Sequence, residues 1–225
     1  MKICGIDEAG RGAVLGPMVI AGVLLDEKNL AKLQSIGVRD SKELVRESRE
    51  ELFEKIVEIC RFRIYMIDAW SIDYFRERNV NLNQIEVIFF SRILSEFVPD
   101  KAYIDSPSIN MEKIKNLLEA SLLNKCELIV ETEADKKYPV VSAASIIAKV
   151  TRDWIIDSIR EYIGCEIGSG YMGDPDTVKF IERVVEEKLL NIAPYYKIIR
   201  RTWEPVERLV EYSKYVRLDK FMNLG

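Results

Sequence analysis

Hydrophobic runs and polar breaks divide the chain into short strands and longer amphipathic helices. Apolar residues fill positions 3–6 and resume at Met18 after a glycine-rich stretch, which predicts a hairpin of two buried strands. Further strands are predicted over 62–68, 101–104 and 128–130, and helical spacing of apolar residues predicts helices between and after them. These helices are predicted over 26–36, 46–60, 81–98, around 111–118, over 140–163, over 176–189 and from 204 onward. A hairpin followed by strand–helix–strand crossovers predicts an α/β fold with a mixed sheet of about five strands flanked by helices.

The length and composition fit one large globular domain with a small appendage. The chain has 225 residues, of which 48% are hydrophobic and 31% charged. We therefore expect a domain over 1–190 and a C-terminal helical appendage over 191–225. No apolar run approaches the ~18 residues of a membrane span, and no leader pattern opens the chain, so we predict a cytoplasmic protein and, by default, a monomer.

Three features of the composition restrict the chemistry. The chain has no histidine, which excludes histidine general bases and histidine-assisted nucleophiles. Its four cysteines form no C-x-x-C pair, so neither a zinc knuckle nor a disulfide framework is indicated. The formal net charge of −4 is weak evidence against a nucleic-acid partner. Any hydrolysis must depend on carboxylates, lysine, tyrosine or metal ions bound by oxygen.

Three predicted strands each carry an acid at or just beyond the carboxyl end. Asp7 and Glu8 end the first strand, Asp105 ends another, and Asp135 follows a third after a short loop. In open α/β sheets the functional crevice lies at these strand ends, so the acids can converge. Clustered carboxylates repel unless cations neutralise them. Oxygen ligands favour Mg²⁺ or Mn²⁺ over zinc, and two such ions form the usual clamp for in-line phosphoryl transfer. Ordinary surface acids would explain the same spacing, and both interpretations stay open.

The turn after the first strand joins glycine, a cation and the two adjacent acids. Gly10 and Gly12 let the backbone approach a ligand closely and present N–H groups, and Arg11 adds charge. Neighbouring side chains of a strand point to opposite faces, so Asp7 and Glu8 cannot both point directly into one site. A hairpin with a solvated acidic tip is the alternative.

Two later stretches carry candidate nucleic-acid contacts. The residues that share one face of the helix over 140–163 are Ser142, Ser145, Lys149 and Arg152, and this face is either solvated or follows a phosphate backbone. Tyr171 follows a glycine-rich loop and is either a surface ring or a stacking platform.

Ordered motifs across the chain resemble those of type 2 ribonuclease H in its archaeal form. The match runs from about Lys2 to Phe180 at compatible spacing. The matching segments are G-I-D-E-A-G-R-G at 5–12, D-S-K at 40–42, Y-I-D-S at 103–106, A-D-K-K-Y-P at 134–139 with V-S-A-A-S-I-I-A-K-V-T-R-D at 141–153, and G-S-G-Y at 168–171 with D-P at 174–175.

The resemblance implies a ribonuclease H-like fold and endonucleolytic cleavage of RNA in RNA/DNA hybrids or at ribonucleotides embedded in duplex DNA. Cleavage would leave a 3′-hydroxyl and a 5′-phosphate, and would serve the removal of replication primers and misincorporated ribonucleotides. The implied metal-binding catalytic residues are Asp7, Glu8, Asp105 and Asp135. The implied nucleic-acid contacts are the 2′-hydroxyl-sensing Gly10, Arg11 and Gly12, the phosphate-binding Lys42, Ser145, Lys149 and Arg152, and the sugar-stacking Tyr171.

Some positions depart from the family pattern. Ala13 stands where proline is frequent, Met172-Gly173 replaces proline and serine, and no histidine precedes Trp203. The alternative functions are another two-metal nuclease of the same fold, such as a junction resolvase, and a non-catalytic hybrid-binding module.

The C-terminal segment resembles a degenerate sliding-clamp-binding peptide. Its hydrophobic positions are Leu218, Phe221 and Met222, and Tyr215 stands where such peptides open with glutamine. An amphipathic tail helix packed on the body explains the same residues equally well.

Overall fold

The strands of the chain form one mixed five-stranded sheet. The computed structural model describes residues 1–38, 45–106 and 110–222, with side chains up to residue 214. The strands are β1 (Lys2–Ala9), β2 (Met18–Asp26), β3 (Arg61–Ile67), β4 (Lys101–Asp105) and β5 (Glu127–Glu131). Their order in the sheet is β3-β2-β1-β4-β5. Strand β1 pairs antiparallel with β2 and parallel with β4, and β4 pairs parallel with β5. The predicted hairpin, crossovers and strand number are confirmed.

In the described residues, ten α-helices follow a 3₁₀ turn at Glu27–Asn29 along the chain. They are α1 (Leu30–Ser35), α2 (Arg46–Ile59), α3 (Ala69–Arg76), α4 (Leu82–Phe97), α5 (Met111–Ser121), α6 (Ala134–Lys137), α7 (Pro139–Ile163), α8 (Pro175–Glu186), α9 (Tyr195–Ile198) and α10 (Glu204–Met222). The predicted helices are confirmed to within a few residues. Helices α3, α6 and α9 were not predicted, and α6 stands where a short loop was expected before Asp135. For α3, Asp68 is a recognisable N-cap whose side chain accepts a hydrogen bond from the Ser71 backbone N–H.

Two glycines place helices on the two faces of the sheet. A Cβ on Gly5 of β1 would lie 2.2 Å from the carbonyl carbon of Val140, so the first turn of α7 packs directly on the β1 backbone. A Cβ on Gly22 of β2 would lie 2.4 Å from the Ile93 side chain of α4. Gly22 is paired with Ile6, the neighbour of Gly5, so the two glycines face opposite sides of the sheet. Helices α7 and α4 therefore cover opposite faces.

The chain forms two compact units. The first comprises Met1–Arg11, Val19–Met66 and Asn81–Arg152, and it contains the sheet. The second comprises Gly12–Met18, Ile67–Val80 and Asp153–Gly225. Its apolar core includes Leu15, Ile181 and Ile199, all fully buried. Within the described parts of the chain, no helix has both the length and the apolarity needed to cross a membrane.

Candidate active site

Three aspartates from separate elements meet at the carboxyl ends of the central strands. Asp7 lies on β1, Asp105 ends β4, and Asp135 lies in α6 just after β5. One carboxylate oxygen from each lies within 4.8 Å of the others, and Asp7 and Asp135 are buried. Because parallel β1, β4 and β5 end at one edge of the sheet, residues far apart in sequence are brought together. The backbone N–H of Ala134 also donates to Asp105 Oδ1 (3.4 Å), which ties α6 to β4.

Asp7 and Glu8 point to opposite faces of the sheet, as the alternation of a strand requires. Asp7 is on the Gly5 face, towards α7, and Glu8 is on the face covered by α4. The group of three converging acids does not include Glu8. Its carboxylate still lies close enough to Asp7 and Asp105 for their charges to raise its pKa, with burial as the larger cause. Glu8 therefore borders the aspartate cluster from the α4 side.

Burial and mutual repulsion make the cluster electrostatically costly. Burial, and then the charge of Asp105, raise the pKa of Asp7 to about 7. Ser145, the Glu8 backbone N–H and Lys149 oppose this increase, and the Glu8 N–H donates to Asp7 Oδ1 at 2.7 Å. These neighbours do not offset burial, so a nearby cation would stabilise the ionised cluster.

The predicted polar face of α7 is not a solvated surface. Ser145 and Arg152 are buried, and Lys149 is half-buried. Ser145 and Lys149 act electrostatically on Asp7, so this part of α7 borders the aspartates. Ser142, one turn earlier on this face, is also buried and donates a hydrogen bond to the Val38 carbonyl.

Sequence reasoning missed two residues of α4 that contact the glycine-rich turn. Arg11 Nε lies 2.6 Å from Glu86 Oε1, and Arg11 Nη2 donates to Asn83 Oδ1 at 2.5 Å. Glu86 is fully buried. The available signal was its spacing: Glu86 lies four residues before Phe90 and seven before Ile93, both of which are core residues. Gly10 has a φ of +79°, which favours glycine at the start of this turn.

Tyr171 lies in the second unit on a loop fixed by backbone hydrogen bonds. The carbonyl of Gly170 accepts from the N–H groups of Val14 and Leu15 (2.8 and 3.1 Å). Thr177 Oγ1 accepts from Gly170 N–H and donates to the Ile167 carbonyl. Tyr171 is 39% exposed as a residue, and its role in stacking stays a prediction.

Several predicted residues lie outside what the structure describes. Lys42 falls in the undescribed segment 39–44. Helix α10 extends to Met222, but the side chains of Leu218, Phe221 and Met222 are outside the described set. The two interpretations of the tail therefore stay open.

Comparisons with known proteins agree on one family. The family model described as Ribonuclease HII matches residues 4–203. A Ribonuclease HII of Methanococcus maripaludis is 45% identical over 93% of this chain and 87% of its own. The crystal structure of ribonuclease H2 from Pyrococcus horikoshii has a TM-score of 0.85 at 40% identity and covers 95% of this chain and 99% of its own. An Archaeoglobus fulgidus ribonuclease HII, solved in complex with PCNA, has a TM-score of 0.82 at 35% identity, over 91% and 96% of the two chains.

The fold and the aspartate cluster define a class, the metal-dependent nucleases with a ribonuclease H-like fold. Within this class, the chain belongs to the ribonuclease HII family. The enzymes of this family are endoribonucleases that act on the RNA of RNA/DNA hybrids. The resemblance found in the sequence motifs is thereby confirmed.

Proposed function

We propose that this chain cleaves the RNA strand of RNA/DNA hybrids and cuts 5′ of ribonucleotides embedded in duplex DNA, leaving a 3′-hydroxyl and a 5′-phosphate. The observation that carries the proposal is the convergence of Asp7, Asp105 and Asp135 within 4.8 Å in a chain of this family. Removal of replication primers and misincorporated ribonucleotides is the corresponding cellular role. The catalytic region spans 1–190, with 191–225 as its helical appendage, and the protein acts as a monomer.

The donor set fits two Mg²⁺ or Mn²⁺ ions. All the acids offer hard oxygen ligands, which these ions prefer. Among the described residues, the buried Oε2 of Glu8 has no hydrogen-bond partner, which is consistent with a ligand atom that has a cation to bind. Asp7, Glu8, Asp105 and Asp135 would hold the ions. Bound there, the metals would supply charge stabilisation for in-line attack by water on the phosphodiester.

The remaining polar residues would bind and orient the substrate. Lys149 on α7 already interacts with Asp7, so a phosphate drawn to Lys149 would be held beside the aspartates. Ser145 and Arg152 lie on the same helix face, and Lys42 would add a further phosphate contact. The turn at Gly10, Arg11 and Gly12 would contact the ribose 2′-hydroxyl, which separates RNA from DNA. Tyr171 would stack on the sugar of the following nucleotide.

We further propose that the C-terminal tail binds a sliding clamp. The complex of the Archaeoglobus fulgidus relative with PCNA supports this interaction. The contact residues would be Leu218, Phe221 and Met222. A pull-down with the clamp should lose the protein when 218–225 are deleted, and capture that survives the deletion would contradict the proposal.

Cleavage of a duplex carrying one ribonucleotide tests the proposed function. The assay compares it with an all-DNA duplex and a long RNA/DNA hybrid, each with Mg²⁺, Mn²⁺ or a chelator. We expect metal-dependent cutting immediately 5′ of the ribonucleotide and within the hybrid, with the all-DNA duplex intact. Equal cutting of all three substrates, or no cutting with either metal, would contradict it.

A further inference from the structure

Two residues on one face of α4 contact the side chain of Arg11. Glu86 contacts Arg11 Nε at 2.6 Å, and Asn83 accepts from Arg11 Nη2 at 2.5 Å. Asn83 and Glu86 are three residues apart, so they lie side by side on the helix. Because two different nitrogens of the planar guanidinium are engaged, both its position and its orientation are set.

Burying the carboxylate of Glu86 on the core-facing side of α4 costs free energy of folding. It is fully buried, as are the neighbouring apolar residues Ile85, Phe90 and Ile93 of the same helix. Burial raises the pKa of Glu86 to about 7 although Arg11 lowers it, and neither of its oxygens accepts an aligned hydrogen bond from a described residue. A well-packed apolar side chain often stabilises such a position as well or better. Stability alone is therefore a poor explanation for this carboxylate.

Helix α4 is a firm support for this contact. Its N-terminus carries a capping box, in which the Asn81 side chain accepts from the Gln84 backbone N–H and the Gln84 side chain from that of Asn81. Farther along, Ile93 packs against the backbone of Gly22 in β2. Arg11 is thus tied to an element that is itself fixed to the sheet beside β1.

Arg11 and its partner Glu86 also act on Glu8, one of the acids of the site. Arg11 lowers the pKa of Glu8 while Glu86 raises it, so the guanidinium lies close to both carboxylates. The turn from Gly10 follows directly after β1, which carries Asp7 and Glu8. A shift of Arg11 would consequently move the backbone of the turn and the surroundings of Glu8 together.

We propose that Asn83 and Glu86 are positioning residues that fix the side chain of Arg11 on α4. Arg11, held in this way, fixes the backbone of the glycine-rich turn at the position where it meets the phosphodiester that is cleaved. Arg11 then contributes through its attachment to α4, and the backbone of the turn makes the contact with the substrate. The inference rests on the proposed function, since it concerns the geometry of the same reaction.

The test compares Glu86→Gln with Glu96→Gln on the same helix. Glu96 is a matched control because its Oε2 also lies 2.6 Å from an arginine Nε, that of Arg63, but at a partly exposed site. Steady-state cleavage of the one-ribonucleotide duplex should show kcat reduced about ten- to a hundredfold in Glu86→Gln, as misplacement of catalytic geometry does, with KM little changed. Glu96→Gln should match the wild type. Equal kcat in all three proteins would overturn the inference.

A second pair of variants separates positioning from folding and from phosphate binding. The double variant Arg11→Met/Glu86→Met removes both charges, so it should fold and bind substrate while its kcat stays low. A return of kcat to the wild-type value would overturn the inference. Arg11→Met alone should leave the slope of log Kd against log salt nearly unchanged. A slope smaller by about 0.9 would identify Arg11 as a phosphate ligand and overturn it as well. Failure of the wild type to cut would instead reject the proposed function.

Discussion

Asp7 in the first unit and Asp73 in the second are both buried acids, but their surroundings differ. Asp73 accepts hydrogen bonds from the backbone N–H groups of Arg201 and Thr202 (2.8 and 3.1 Å), from Thr202 Oγ1 (2.7 Å) and from Arg201 Nε (3.3 Å). Asp7 instead lies beside two more aspartates, with its pKa raised to about 7 by burial and by Asp105. A buried acid surrounded by donors stabilises a fold, whereas buried acids that face one another are arranged for a cation.

Replacing the acid at the cluster should have the largest effect, and it should be on activity. Asp7→Asn removes a ligand oxygen and a repulsive charge, so cleavage should fall by about three orders of magnitude, the equivalent of some 4 kcal/mol of transition-state stabilisation. The metal-free protein should unfold at the same or a higher temperature. Single-turnover cleavage and thermal unfolding measure the two effects. A variant that still cuts at a tenth of the wild-type rate would contradict this role.

The matched change in the second unit should affect stability instead. Asp73→Asn puts an amide NH₂ group among four donors, which should cost about 3 kcal/mol in the free energy of unfolding. Urea unfolding gives this value, and Mn²⁺ titration of the folded variant should give the wild-type affinity. If Asp73→Asn lost metal binding and kept its stability, the comparison of the two acids would be reversed.

Two buried acids, Asp7 of the aspartate cluster and Glu86 of α4, should also give the metal-free protein an unusual dependence of stability on pH. Asp7 and Glu86 have pKa values raised to about 7 from ordinary values of 3.8 and 4.5. Their folded forms therefore bind protons more tightly than the unfolded chain does. The stability they contribute is present at low pH and is lost as pH rises towards 7, by up to about 1.4 kcal/mol per pH unit for each group. Urea midpoints from pH 5 to 8 should decrease, and Asp7→Asn should flatten the curve. A rise over this range would contradict the assignment.

A single donor to Asp73 provides the smallest test. Thr202→Val keeps the shape of the side chain but removes the hydroxyl that donates to Asp73 Oδ1 and accepts from Arg76 Nε. The loss should be about 1–2 kcal/mol in the free energy of unfolding, with no change in Mn²⁺ affinity. Urea unfolding measures the free energy of unfolding, and titration calorimetry at the same pH measures the Mn²⁺ affinity. A change in metal affinity with unchanged stability would link Asp73 to the metal site.

The sheet and the aspartates were predictable because they depend on local rules. Apolar runs gave the strands, and the position of Asp7, Asp105 and Asp135 at or just beyond strand ends showed that they can converge, with ordinary surface acids as the alternative. The pattern was less informative about which polar residues become buried. The spacing of Glu86 puts it on the core face of α4, but Asp73 looks like a surface acid in the sequence, and tertiary packing decides the full burial of both. For α7 the spacing identified a polar face, but only the packing beside β1 shows that its first turns are buried.

The alternation of a strand also settled how two adjacent acids are arranged. From the sequence, Asp7 and Glu8 had to face opposite sides of β1. The helices on the two faces decide what each meets: Asp7 lies near Ser145 and Lys149 of α7, and Glu8 lies near Glu86 of α4. Strand periodicity predicts the first fact, while the second depends on the close packing of α7 and α4 on Gly5 and Gly22.

The most direct test of the account is the effect of Mn²⁺ on the unfolding temperature of the wild type and of Asp7→Asn and Asp73→Asn. Ligand binding to the folded state stabilises it by about 2.7 kcal/mol at a hundredfold excess over Kd. We expect Mn²⁺ to raise the unfolding temperature of the wild type and of Asp73→Asn, and to leave Asp7→Asn nearly unchanged. An equal rise in all three proteins, or no rise in the wild type, would contradict the claim that the aspartate cluster is the cation site.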